Sequence, residues 1–162
     1  MTFPFPIIAP RKSATLTQIA SMSSFAHIGD MTGGGGLNGI FDGNTSTGVG
    51  NSTGETDTGY AGQNWGSGVS KNLGQVKVYR SGSNWSGSGA SGTLTVYGKA
   101  TAPGSRTDGT VLATAAYNDT LSSVTISVPS GTSYQYHWVG WAATTPAGGN
   151  VSCAECEMWE WI

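Results

Sequence analysis

A search for chemistry in this chain begins with three short strings and two histidines. Gly50-Asn-Ser52-Thr-Gly54 spells the G-x-S-x-G of a nucleophile elbow. A serine attacks from that turn only when a buried strand leads in, a helix leads out and a base stands by. Here the surroundings are polar. The two histidines, His27 and His137, lie inside strand-like stretches where packing or sheet hydrogen bonding is the simpler role. Gly87-Ser-Gly89-Ala-Ser-Gly92 spells the dinucleotide fingerprint, which holds pyrophosphate at the start of a following helix. Thr93–Gly98 follows instead and reads as a strand, so an inter-strand loop is expected. Cys153-Ala-Glu-Cys156 is a C-x-x-C, but residues three apart in a strand face opposite sides. Two buried, reduced thiols without a shared metal are expected. No nucleophile–base pair and no paired catalytic carboxylates can be placed together, so the chain is not expected to be an enzyme.

Asp42-Gly-Asn44-Thr-Ser-Thr47 is the most informative segment. Closely spaced oxygens on a tight glycine turn suit a hard cation such as Ca2+. The twelve-residue loop closed by a bidentate Glu, which an EF-hand requires, is absent. An Asx-type turn that holds itself together uses the same residue types, and spacing alone favours the turn. Asn-x-Ser/Thr triplets begin at Asn44, Asn51, Asn84, Asn118 and Asn150, and in a chain this rich in Asn, Ser and Thr chance accounts for them.

The elements that must position these groups are short. The chain has 162 residues, enough for one domain with a core of its own. Charged residues make up 10%, against roughly 25% in an average globular domain, while 6 Trp, 6 Tyr and 4 Phe supply large rings for the interior. That is the reverse of a disordered composition, so the chain should fold. The net charge is −2 and the seven Lys and Arg are thinly spread, so nucleic acid is not an expected partner. No run of about 18 apolar residues exists to cross a membrane.

Residues 1–12 are expected to form an extended arm, because Pro4, Pro6 and Pro10 deny it a helix. Such an arm either frays, as termini often do, or docks Phe3, Phe5, Ile7 and Ile8 on a sister subunit or another partner. Exposed alternating Phe is costly in water, which favours docking. The first charges, Arg11 and Lys12, follow the apolar stretch, the wrong order for a secretory signal. Residues 13–162 are expected to form one domain. Candidate strands are Ser24–Ile28, Tyr60–Trp65, Gln75–Arg80, Thr93–Gly98, Thr110–Tyr117, Ser122–Val128, Tyr134–Trp141 and Val151–Ile162. Val76/Val78 against Lys77 and Val124/Ile126/Val128 against Thr125/Ser127 alternate as strands with one wet face do. Tyr134–Trp141 is apolar on both faces except Gln135, which predicts a central strand. Thr15–Met22 and Leu37–Phe41 offer at most a helical turn. The pattern predicts an all-β antiparallel sandwich or jelly roll.

In their order along the chain, these pieces resemble discoidin-like domains, the coagulation factor V/VIII type C or galactose-binding-like family. Ile40-Phe-Asp42-Gly-Asn-Thr-Ser-Thr47 is similar to that family's A-F-D-G-N-x-x-T loop. Gln63-Asn-Trp65-Gly and Val76-Lys-Val-Tyr79 resemble its D-x-G and v-x-v-y strands. Leu94-Thr-Val-Tyr97-Gly98 and Thr107-Asp-Gly109-Thr-Val-Leu112 resemble its f-x-l-y-g-S and d-G-x-w-x-x-L pair. Tyr134-Gln-Tyr136-His-Trp138-Val resembles the Y-R-Y-v-R strand, and Val151-Ser-Cys-Ala-Glu155-Cys-Glu-Met-Trp159 the closing v-s-i-a-E-l-e-x-w strand. The resemblance implies a structural Ca2+ between the first loop and the last strand, with Asp42, Asn44, Thr47 and Glu155 as side-chain ligands. Glu155 would then be an inward carboxylate in a strand that shows Glu157 and Glu160 to solvent. The family's Trp after the loop Thr, its terminal disulfide and its Arg pair are missing here.

The N-W-G and T-D-G-T-x-L variants with a Pro-rich start resemble discoidin-type domains of tailed-phage and gene-transfer-agent virion proteins. That resemblance implies a virion structural or adhesion protein of a fibre, spike, decoration or tail tip, made in the host cytoplasm without a signal peptide. Residues 1–12 would fasten it to other virion proteins or to sister subunits of a homo-oligomer. If the outward loops bind a host surface glycan, Trp85 is the expected stacking ring, with Tyr60 and Arg80 as weaker candidates. Trp85 stands alone in Ser81–Gly92, either as an exposed stacking ring or as a pin tucking the loop onto the sandwich. A stand-alone carbohydrate-binding module without a particle role is the alternative.

Overall fold

The computed structural model describes residues 14–31, 33, 35–50, 58–82, 85, 89–145 and 151–162. The expected arm, with Phe3, Phe5, Ile7 and Ile8, lies outside the described residues, as do the triplet asparagines Asn51, Asn84 and Asn150. Among the described residues eleven strands follow one another: β1 Leu16–Gln18, β2 Ala26–Gly29, β3 Val49–Gly50, β4 Thr58–Asn64, β5 Leu73–Tyr79, β6 Ser91–Lys99, β7 Thr110–Asn118, β8 Ser123–Ser127, β9 Tyr136–Thr145, β10 Ser152–Cys153 and β11 Glu155–Trp161. They form a four-stranded sheet in the order β1-β11-β5-β8, a five-stranded sheet in the order β2-β4-β9-β6-β7, and the small pair β10-β3. The pairing is antiparallel throughout. This is the expected all-β sandwich.

Alternation explains which residues close the core. Val76 and Val78 of β5, Val124 and Ile126 of β8, and Cys156 and Met158 of β11 point inward from one sheet. Ala61, Leu94, Val96, Val139 and Trp141 meet them from the other. β9 sits third of five in its sheet, as its apolar sequence predicts. Gly62 of β4 is buried opposite Trp138, and a methyl there would collide with the His137 carbonyl and the Trp138 side chain. Only glycine lets those two strands carry a Trp between them.

Three local readings need correction. Thr15–Met22 is not helical, because Leu16–Gln18 pairs with Trp159–Trp161, a contact no local pattern reveals. A 3-10 turn comes only afterwards, at Met22–Ser24, and β2 starts at Ala26. The final run is two strands, broken at Ala154, so both cysteines face the core although they are three residues apart. They are free and buried, and burial pushes both thiols above their ordinary range.

Candidate cation loop and ligand-binding end

The four residues of the expected cation site do come together. After the 3-10 turn Leu37–Ile40, buried Ile40 and Phe41 pin the chain, and positive φ at Gly43 turns it back over the start of β11. Glu155 Oε2 accepts the Gly43 amide at 2.9 Å and the Asn44 amide at 3.1 Å. Asp42 accepts the Asn44 amide at 2.7 Å and the Thr47 hydroxyl at 3.4 Å, and Asn44 Oδ1 accepts the Ser46 amide at 3.0 Å. The self-bonded Asx turn is therefore present, and Glu155 closes it. Glu155 is 3% exposed, yet it does not point into the sandwich as expected. It shares the outer face with Glu157, two residues on, and the loop covers it. Burial, and after it the neighbouring Asp42 carboxylate, raise its pKa to about 7 despite the amides that favour its charged form. Among the described residues no cluster of three or more His, Cys, Asp or Glu could hold a metal; this loop offers two carboxylates with amide and hydroxyl oxygens. Those are hard donors of the kind Ca2+ takes. A cleft of about 260 Å3 opens beside them, bordered by Gln18, Met22, Asp42 and Glu157.

The expected ligand residues are not one constellation. Trp85 is fully buried, its indole donates to the Leu121 carbonyl at 2.9 Å, and its ring lies 5.4 Å from that of Tyr117. It is the pin of its loop, and its assignment as a ligand-stacking ring is corrected. The organiser of that loop is a residue that no sequence motif marks: Asp119, half-buried, in the middle of the Asn118-Asp-Thr triplet. Its carboxylate accepts the amides of Trp85 at 3.1 Å and Ala90 at 3.0 Å, and also that of Gly89. Arg80 donates to the Asp119 carbonyl, while its buried Nε finds no partner. Tyr60 is anchored elsewhere, through backbone bonds with Asp30.

Both histidines are sheet residues, as expected. Register places His27, Gln63 and His137 side by side across β2, β4 and β9. Gln63 and His137 are fully buried. His27 Nδ1 meets Gln63 Oε1 at 3.1 Å, and Trp65 donates to His137 Nδ1 at 2.8 Å. The Nε2 atoms of both imidazoles are buried without a partner. Desolvation lowers both pKa values, that of His137 to about 4. Neutral rings held in the sheet by Gln63 and Trp65 serve as packing groups.

No family model matches this chain, and neither does any curated protein. Solved structures do match. A family 32 carbohydrate-binding module from C. perfringens NanJ, in complex with galactose, superposes with a TM-score of 0.64 at 16% identity, covering 90% of this chain and 100% of that one. A mutant of the lectin binding domain of lectinolysin complexed with Lewis b superposes at 0.62, with 15% identity over 89% and 98% of the two chains. A family 62 module of Clostridium thermocellum Xyl5A gives 0.56 at 18% identity over 85% and 95%. The chain has the discoidin-like, galactose-binding-like fold.

His137 makes stability depend on pH. Its folded pKa lies below the ordinary 6.5, so the neutral ring favours the fold above 6.5 and that advantage disappears as pH falls toward about 4. Urea unfolding of the protein and of His137→Gln should show their difference shrinking by up to about 3 kcal/mol across that window. Taking the difference cancels Glu155, whose raised pKa acts in the opposite sense. A pH-independent difference would show that His137 is not buried neutral.

Proposed function

We propose that this chain is a non-catalytic carbohydrate-binding module that holds a glycan at the loop end of its sandwich. The observation that carries the reading is fold likeness over nine-tenths of the chain to modules whose structures contain galactose or Lewis b. Arg80, half-buried just after β5, is the proposed donor to sugar hydroxyls, and half-buried Tyr60, on β4 of the other sheet, is a weaker and separate candidate. Trp85 is left to hold the loop.

Ca2+ is proposed as a structural staple on Asp42, Asn44, Thr47 and Glu155. What supports it is the proximity of Asp42 to buried Glu155, a costly pair of like charges that a dication would relieve. At a hundredfold excess over Kd, Ca2+ should raise Tm by roughly 5–10 °C relative to EDTA. Glu155→Gln should abolish the shift, and equal melting with and without Ca2+ would remove the metal from the account. A glycan array run in Ca2+ should light up for galactose-containing glycans and dim for Arg80→Ala. A blank array contradicts the module reading.

Display on a virion is a finer proposal, resting on the alternating Phe and Pro of residues 1–12. Deleting them should abolish incorporation into particles or sister-subunit oligomers. Unchanged assembly would leave the stand-alone module.

A further inference from the structure

The outer face of the four-stranded sheet is unusual for a wet surface. β11 turns Glu155, Glu157, Trp159 and Trp161 to the same side, because alternate residues of a strand share a face. Neither Trp159 nor Trp161 belongs to the core cluster or packs against it. Trp161 is occupied: it fills the space over Gly74 with Leu16, and its indole donates to the Val128 carbonyl at 3.2 Å. Trp159 is half-buried, and its cross-strand neighbours are Gln18 on β1 and Gln75 on β5. Ser127 continues that row on β8. One row along stand Glu157, Lys77 and Thr125, and the 260 Å3 cleft is bordered by Gln18 and Glu157.

From this arrangement we propose that the face carries a second binding surface, for an extended uncharged glycan chain of at least two sugar rings. The indole of Trp159 supplies a flat apolar platform for a sugar's C–H face, and the flanking amides of Gln18 and Gln75 reach its hydroxyls. The cleft lies beside Glu157, about 7 Å along the strand from Trp159, where the next ring of a linear chain would fall. Charge selects the occupant. Lys77 Nζ stands 4.6 Å over the Tyr79 ring, and the Tyr79 hydroxyl donates to Glu157 at 3.0 Å, so the face's ionic groups are engaged among themselves. What it offers outward are the amides and hydroxyls of Gln18, Thr125 and Ser127. These complement a polyhydroxy chain rather than a polyanion. The surface is separate from the loop around Arg80 and Asp119, and the inference rests on the carbohydrate-binding reading.

Native affinity electrophoresis of the full chain through galactomannan, xyloglucan and mixed-linkage β-glucan tests it. Wild-type protein should be retarded by at least one of them. Trp159→Ala should weaken that retardation by about tenfold, as loss of an aromatic anchor does. Gln18→Ala and Gln75→Ala, which remove only amides, should weaken it less, and the Trp159 indole resonance should shift on addition of the retarding polysaccharide. All variants should keep wild-type binding to monosaccharide on the array. Retardation unchanged in Trp159→Ala, with array binding intact, overturns the second surface and leaves the loop site standing. Self-association that Trp159→Ala dissolves also overturns it, because a second copy then covers the face. A blank array with no retardation removes both readings.

Discussion

A carboxylate that cannot leave its strand holds the candidate cation site together. Glu155 opens β11, and the loop from Asp42 to Asn44 folds across it so that two amides reach one oxygen. Leaving a buried carboxylate unmatched is expensive, so the loop and the strand must stay in register. Phe41 and Ile40 supply the other half of the constraint by anchoring the loop's root in the core. Everything at that end of the molecule, including the cleft beside Met22 and Glu157, depends on this clasp.

The same device recurs. The chain has nine acidic residues, and among the described ones four, Asp42, Asp108, Asp119 and Glu155, accept loop amides, while Asp30 accepts the amide of Tyr60 in β4. Such charge-assisted bonds are stronger than neutral ones and fix loops that have little apolar surface of their own. In a chain so poor in charge, acids serve as loop anchors more than as solubilising groups. Rigid loops on a rigid sandwich are what recognition of a hydroxyl-rich ligand needs. No helix among the described residues is long and apolar enough to cross a membrane.

Most of the fold was legible because its strands advertise themselves by alternation. Val76/Val78, Leu94/Val96 and Val124/Ile126 face the core as their spacing demands. What stayed hidden depends on distant partners. β1 exists only because Trp159–Trp161 lies beside it, and the break at Ala154 turns both cysteines inward. The cation loop was legible as a loop, and its union with Glu155 came from family resemblance rather than spacing. Trp85 showed its aromatic character but not its direction, since the carboxylate that pulls its loop inward, Asp119, lies 34 residues away.

Amide hydrogen exchange at Gly43 and Asn44 tests the clasp most directly. Both residues are exposed to solvent, and their amides are bonded only to carboxylates. Exchange should be far slower than in an unstructured loop, and Glu155→Ala should release Gly43 to the free rate. Free-rate exchange of Gly43 in the unaltered protein would mean that loop and strand are not joined.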